Sequence, residues 1–200
     1  MKPENLSEQK ANKVNKGHSL LHSLILFHPL FSSLILFYLT TKTNIMLKIK
    51  EQQVIEAAQQ GMDAFVELFY NEIMNSIDGE LNAESMQGLP PDQITLVAYC
   101  IYREEIMDGG HVQLIHNGYG PFIFLNPFAK AMRLWGAKEF SKLVYSGRKF
   151  FEENQKALTR ECTDEEFMAI YENYPEADDL DDEFILMEEE VTEIVARYMD

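Results

Sequence analysis

Hydrophobic residues recur at intervals of three and four along the chain from residue 47 to the end, and this spacing is typical of amphipathic helices. Few segments alternate hydrophobic and polar residues in the way that strands do. We therefore predict an all-α fold over residues 46–200, a compact single-domain bundle of about seven helices with a Gly-Gly helix corner. One long face illustrates the pattern, with Met62, Phe65, Val66, Phe69, Tyr70, Ile73 and Ile77.

Several boundaries follow from local chemistry. Pro91 suits the first turn of a helix, and Gly136 suits the end of another. Thr163 and Glu166 have the spacing of a capping box, which predicts a helix start. Residues 121–125 are apolar without helical spacing, so we predict a buried extended connection there.

The last predicted helix separates its residues into two faces. An apolar stripe contains Leu180, Phe184, Met187, Val191, Ile194, Val195 and Tyr198. At about 100° per residue, Asp182, Glu189 and Glu193 lie on the opposite side, with Glu183 and Glu190 at its edge. Ile185 and Leu186 flank that acidic row. We predict that Pro175 ends the preceding helix and that the last helix begins after Asp178 and Asp179.

The charge of the chain is concentrated. Residues 1–45 carry a net charge of +3, whereas residues 46–200 carry −19, and residues 161–196 contain fifteen Asp and Glu without Lys, Arg or His. Residues 128–160 have a net charge of only +5, so internal pairing cannot neutralise the acidic segment. Such charge disfavours binding to nucleic acid or anionic membrane and favours a basic protein partner. A solvated acidic face without a partner is the simplest alternative.

The first 45 residues differ from the rest. Residues 20–39 are uncharged and long enough to cross a membrane core of about 30 Å. We interpret residues 1–45 as a leader, as an uncleaved anchor, or as upstream sequence with Met46 as the true start. The domain at 46–200 is expected in the cytoplasm, or anchored to the membrane through residues 20–39 if the leader is real.

A polar corner interrupts the middle of the chain. Glu105 shares an apolar helical stripe with Tyr102 and Ile106, and a carboxylate in that place must find hydrogen-bond donors. Gly109-Gly110 follows and ends the helix, and the free N–H groups of the next helix would favour an anion. We predict that Glu105 is a structural staple across this corner and that Asp108 is a helix N-cap.

These residues resemble the signature of the bacterial DNA-mimic protein family, which consists of small acidic helical proteins. Asp108 stands where the family has Asn, and His111 where it has an aromatic residue. The resemblance implies a non-enzymatic DNA mimic, a homodimer, that binds the DNA-binding surface of a helix-turn-helix transcription factor. The acidic residues Asp178, Asp179, Asp182, Glu183, Glu189, Glu190 and Glu193 would then carry recognition. The matching positions are Glu105, Gly109, Gly110, Gln113, Asn117, Gly120 and Gly136.

Two other functions stay open at this point. An immunity-type inhibitor of a basic nuclease toxin would need the same electrostatics. An enzyme or metal site could use Glu104, Glu105, Asp108, His111 and His116, although the five-residue spacing of the two histidines places them on different helix faces. Cys100 and Cys162 are too few for a zinc site or a disulfide framework. We expect neither a cofactor nor a metal.

Overall fold

The computed structural model describes residues 47–199, except for the side chains of residues 164 and 168. Within this range the chain forms eight α-helices and one short 3-10 helix, without a strand. The predicted all-α fold is therefore confirmed. The leader, residues 20–39 and Met46 lie outside the described residues, so the predictions about them stay predictions. No helix within 47–199 is long and apolar enough to span a membrane.

The first half of the domain leads into a long central helix. Helices α1 (Glu51–Gln60) and α2 (Met62–Ser76) meet at Gly61 and are followed by the 3-10 turn Ser85–Gly88. Helix α3 (Pro91–His116) begins at Pro91, as predicted. Its Gly109 and Gly110 have non-helical backbone angles, so α3 is two helical segments joined at a corner.

The second half wraps around α3. The remaining helices are α4 (Gly120–Phe124), α5 (Phe128–Trp135), α6 (Lys138–Leu158), α7 (Asp164–Tyr171) and α8 (Pro175–Met199). Helix α3 packs against α2, α4, α5, α6 and α8, and α8 packs in turn against α2, α5 and α6. The core is rich in aromatic side chains, with Tyr99, Tyr102, Phe140, Phe151 and Phe184 fully buried.

Two helix starts are capped by side chains, and the first of these caps was predicted. The Thr163 hydroxyl accepts the N–H of Glu166 at 3.3 Å, and the Glu166 carboxylate accepts the N–H of Thr163 at 2.9 Å. This reciprocal pair is the predicted capping box of α7. The Asn126 side chain accepts the N–H of Phe128 at 2.7 Å at the start of α5.

Two details of the sequence prediction were wrong. The predicted extended connection at residues 121–125 is mostly helical, because α4 places Pro121 in a first turn, where its missing N–H costs nothing. Helix α8 begins at Pro175 instead of after Asp179, since proline is as suited to opening a helix as to ending the preceding one. Asp178 and Asp179 therefore belong to the helix.

Candidate partner-binding face

The outward surface of α8 carries the carboxylates that the sequence predicted for recognition. Six of the seven are exposed, and the seventh, Glu193, is half-buried and forms an ion pair with Arg197 on the same helix. We call these seven residues the acidic row. They are Asp178, Asp179, Asp182, Glu183, Glu189, Glu190 and Glu193.

The acidic row has a charge density comparable to that of a nucleic acid. From Asp178 to Glu193 the helix rises about 22 Å, at roughly 1.5 Å per residue. The seven carboxylates therefore occur about once per 3 Å of axis, against about 3.4 Å per charge in one strand of B-DNA. A helix fixes its side chains in direction, so this density belongs to an ordered surface.

The basic helices do not neutralise the acidic row. Lys142 pairs with Glu139 at 2.8 Å and Arg148 with Glu152 at 2.7 Å, both within α6. Among residues 47–199, the only ion pair of the acidic row is the one between Glu193 and Arg197. The negative charge of this face is therefore available to a partner.

A buried histidine attaches the start of α8 to the corner. The Asp181 carboxylate accepts the backbone N–H of His111 at 2.9 Å and also the ring Nδ1–H of His111. The other ring nitrogen, Nε2, lies 3.0 Å from the hydroxyl of Tyr102, which is fully buried. Of the two neutral tautomers, only the one protonated on Nδ1 satisfies both contacts, because a carboxylate only accepts.

The protonation state of Tyr102 supports its hydrogen bond to His111. Burial, followed by the negative charges of Asp181 and Glu183, raises the pKa of Tyr102 well above its ordinary value. The Tyr102 hydroxyl therefore keeps its proton and donates a hydrogen bond to Nε2 of His111.

A second inward carboxylate attaches α8 two turns further along. Glu188 pairs with the Nε of Arg103 and accepts the Thr192 hydroxyl at 2.9 Å. That hydroxyl lies 2.6 Å from the hydroxyl of Tyr99. Arg103 also pairs with Asp63 of α2 at 2.7 Å, so a single guanidinium connects α2, α3 and α8.

The corner is bridged by Glu105, but through different donors from those predicted. Its carboxylate accepts the side-chain amides of Gln113 at 3.2 Å and Asn117 at 2.8 Å. The backbone N–H of His111 donates instead to the carboxylate of Asp181 on α8. Asp108 accepts the Gln113 amide at 2.8 Å and does not act as the predicted N-cap.

The glycines of the corner are required by close contacts. Gly110 has a φ of +72°, and a Cβ there would overlap the Asp181 carboxylate. A Cβ on Gly109 would lie 2.7 Å from the Tyr171 hydroxyl, and one on Gly120 would overlap the ring of Phe151. Gly136 ends α5 in the left-handed conformation, as its predicted role requires.

Helix α7 closes the corner from outside. The Tyr171 hydroxyl donates to the carbonyl of Gly109 at 2.6 Å. Partial burial, together with the carboxylates of Asp181, Asp108 and Glu105, raises the pKa of Tyr171 to about 12. The ring of Phe167 also contacts that of His116, with centroids 4.3 Å apart.

The alternative metal or hydrolytic site does not assemble. His111 is buried against Asp181 and Tyr102, whereas His116 is engaged with the carbonyl of Leu158, with Nδ1 and the oxygen 2.8 Å apart. Among the described residues, no group of three or more His, Cys, Asp and Glu side chains is placed to hold a metal ion. Cys100 is largely buried, and burial raises the pKa of its thiol to about 12.

The family assignment rests on the part of the chain that holds the corner and α8. A family model described as DMP19-like protein matches residues 87–200, more than half of the chain. The chain belongs to the DMP19-like protein family. The DMP19-like match is wider than the sequence resemblance at the corner, because it also includes the acidic row.

A curated relative supports the same family. The protein named "DNA mimic protein DMP19" from Neisseria meningitidis serogroup B is 39% identical over 75 residues. That alignment covers 38% of this chain and 46% of the relative. The aligned part of the chain thus covers less than half the length of this DMP19-like relative. The description as a DNA mimic is part of the relative's name.

Sequence reasoning missed the inward carboxylates. It assigned seven acidic residues to the recognition surface and gave no position to Asp181 or Glu188. The sequence did contain a signal for these two carboxylates. Asp181 lies three residues before Phe184 and Glu188 four residues after it, so both share the inward side of the helix with Phe184. Their partners Arg103 and His111 are distant in the chain and had no such signal.

Proposed function

We propose that this protein is a non-enzymatic DNA mimic whose acidic row binds the DNA-binding surface of a basic protein. The partner class that we propose is a helix-turn-helix transcription factor, whose release from DNA would follow from occupation of that surface. Proteins bind DNA largely through Lys and Arg contacts to phosphates, so a surface that orders carboxylates at similar density competes for the same groups.

One observation carries this proposal. The acidic row is exposed and, apart from Glu193, free of ion pairs within residues 47–199. Its helix is attached to the core by Asp181 and Glu188, so the row is ordered before any partner binds. Membership of the DMP19-like family supports the same function.

The proposal is tested by capture from cells that make the protein. The full chain is immobilised, and lysate is applied at low and at high salt, with and without duplex DNA. We expect a DNA-binding protein to be retained at low salt and released both by salt and by DNA, because the contacts are ionic and the surface is shared. Retention that neither salt nor DNA reduces would contradict the proposal.

The same experiment separates the toxin alternative. A basic nuclease, retained in place of a transcription factor and inhibited by the full chain, would favour an immunity-type inhibitor. An enzyme at the Glu105 to His116 corner has less support, because the carboxylates and His111 are already hydrogen-bonded within the protein. A cleft of about 470 Å³ lies beside α2 and α3, and of the candidate enzyme residues only Glu104 is among its lining residues.

We further propose a homodimer in the cytoplasm, where a DNA-binding partner would be found. An apolar groove of about 820 Å³ supports a second copy as its occupant, because Asp92 is its only carboxylate and two strongly acidic chains approach most easily there. Leu134 is 77% exposed at this groove. Light scattering of the full chain should give twice the mass of a monomer. The Leu134→Glu variant should give the mass of a single monomer.

A further inference from the structure

Two large apolar side chains lie exposed within the acidic face of α8. Leu186 is 88% exposed and Ile185 is 51% exposed. We infer that Leu186, assisted by Ile185, is an apolar anchor that selects protein surfaces in which hydrophobic side chains stand among the cations. This inference rests on the proposed function and names the kind of surface that the acidic row fits.

The position of Leu186 on the helix supports this role. Residues three and four apart on a helix are neighbours on its surface. Leu186 therefore lies between Asp182 and Glu183 on one side and Glu189 and Glu190 on the other, and all four are exposed. The leucine is the apolar centre of a ring of carboxylates, which is the arrangement of an interface with an apolar core and a polar rim.

The two components of this surface act differently. The carboxylates attract any polycation, including one without apolar groups, and their attraction weakens as salt is added. Leu186 adds binding only when apolar atoms of the partner cover it, and that contribution depends on buried area, not on ionic strength. The leucine thus separates a protein partner from simple polycations.

DNA-binding surfaces have the chemistry that such an anchor would contact. Alongside cations for phosphates, they present apolar groups to the methyl group of thymine in the major groove. A leucine between rows of carboxylates occupies a comparable place to a methyl group between rows of phosphates. The partner surface that we infer is therefore basic at its edges and apolar at its centre.

A pair of synthetic peptides tests the inference without an identified partner. The two peptides have equal length and equal arginine content, with serine between the arginines in one and leucine in the other. Binding of each peptide to the full chain is measured by calorimetry over a range of salt concentrations. Leu186→Ser and Ile185→Ser are compared with Ile55→Ser, an isoleucine that is 44% exposed on α1, away from the acidic row.

We expect the wild type to bind the leucine-containing peptide on the order of tenfold more tightly than the serine-containing one. Leu186→Ser should abolish most of this preference and Ile185→Ser part of it, whereas Ile55→Ser should retain it. The slope of affinity against salt should be the same for all three variants, because no charge changes.

The outcomes separate this inference from the proposed function. Equal binding of both peptides, or an undiminished preference in Leu186→Ser, would overturn the anchor and leave the acidic row as a purely ionic surface. Binding of neither peptide at low salt would contradict the acidic row itself, and the anchor with it. Thermal melting of each variant confirms that the fold is intact, as expected for exposed positions.

Discussion

Asp181 and Asp182 are adjacent carboxylates with opposite surroundings. The Asp181 side chain is only 18% exposed and bonds to His111, whereas Asp182 is exposed on the acidic row. Removing a buried hydrogen-bonded carboxylate leaves its donors unpaired, which costs more than losing the bond itself. Adjacent residues of identical chemistry should therefore respond differently to substitution.

We predict that Asp181→Ala lowers the free energy of unfolding by roughly 2 kcal/mol or more, because two donors of His111 lose their acceptor. Asp182→Ala should change it by less than about 0.5 kcal/mol, as is usual for exposed positions. Chemical denaturation of both variants measures the difference. Equal effects would show that Asp181 does not hold α8 to the corner.

Glu105 offers a second comparison between neighbours. Its carboxylate is the acceptor of the Gln113 and Asn117 amides, whereas Glu104 is exposed. We predict that Glu105→Ala lowers the unfolding free energy by roughly 1 to 3 kcal/mol, and that Glu104→Ala leaves the melting temperature nearly unchanged. A stable Glu105→Ala protein would remove the structural role that we assign to this residue.

At the scale of elements, helix α8 carries carboxylates with different surroundings on its two sides. Its inward side carries Asp181 and Glu188, which are seven residues apart and bind His111 and Arg103 of α3. Its outward side carries the acidic row. Because both inward contacts are charged and directional, they fix the rotation of the helix about its axis and hence the direction of the row.

The hydrogen bond from Tyr171 of α7 to the carbonyl of Gly109 should be lost at alkaline pH. The pKa of Tyr171 is raised from an ordinary 10.0 to about 12, so folding favours the protonated hydroxyl that donates to Gly109. Its contribution to stability is fully present below about pH 10 and is lost as the pH rises through about 12. Cys100, raised from 9.0 to about 12, adds to the loss from pH 9 upward.

We predict that the unfolding free energy falls steadily between about pH 9 and 12, and that Tyr171→Phe makes this fall less steep. Tyr145→Phe, at a tyrosine that is 51% exposed, is the matched control and should leave the slope unchanged. Denaturation at several alkaline pH values measures both. A Tyr171→Phe slope equal to that of the wild type would contradict the proposed contact.

The sequence was most informative where structure is local. The capping box at Thr163 and Glu166, the start at Pro91 and the end at Gly136 depend on residues within one turn, and all three were predicted. The helix at Gly120–Phe124 was missed, because five residues are too few to display a helical period.

The candidate site was predictable in part for the same reason. The exposure of Asp182, Glu183, Glu189 and Glu190 follows from the helical spacing opposite Phe184. The donors of Asp181 and Glu188 do not, since they come from α3, some 70 to 85 residues away in the chain. Long-range pairing is decided by how the helices pack, and one sequence carries no direct signal for it.

At the scale of the whole molecule, the basic helix α6 and the acidic helix α8 differ in how many of their charged side chains form ion pairs. Three of the five basic residues of α6 pair with glutamates of the same helix, so their charge is satisfied locally: Lys142, Arg148 and Lys149. The acidic row of α8 instead faces solvent on the outward side of that helix. On the proposed function, it is this local field of the acidic row that attracts a basic partner.

We propose that the acidic row, and not the total charge, binds the partner. The test is the affinity of the purified captured partner for two double variants of equal net charge. Asp182→Lys with Glu189→Lys alters the row, whereas Glu80→Lys with Glu84→Lys alters exposed carboxylates before α3. We predict that the first pair weakens binding on the order of a hundredfold at low salt, and the second less than about threefold, with melting temperatures preserved. Equal weakening by both pairs would contradict the claim.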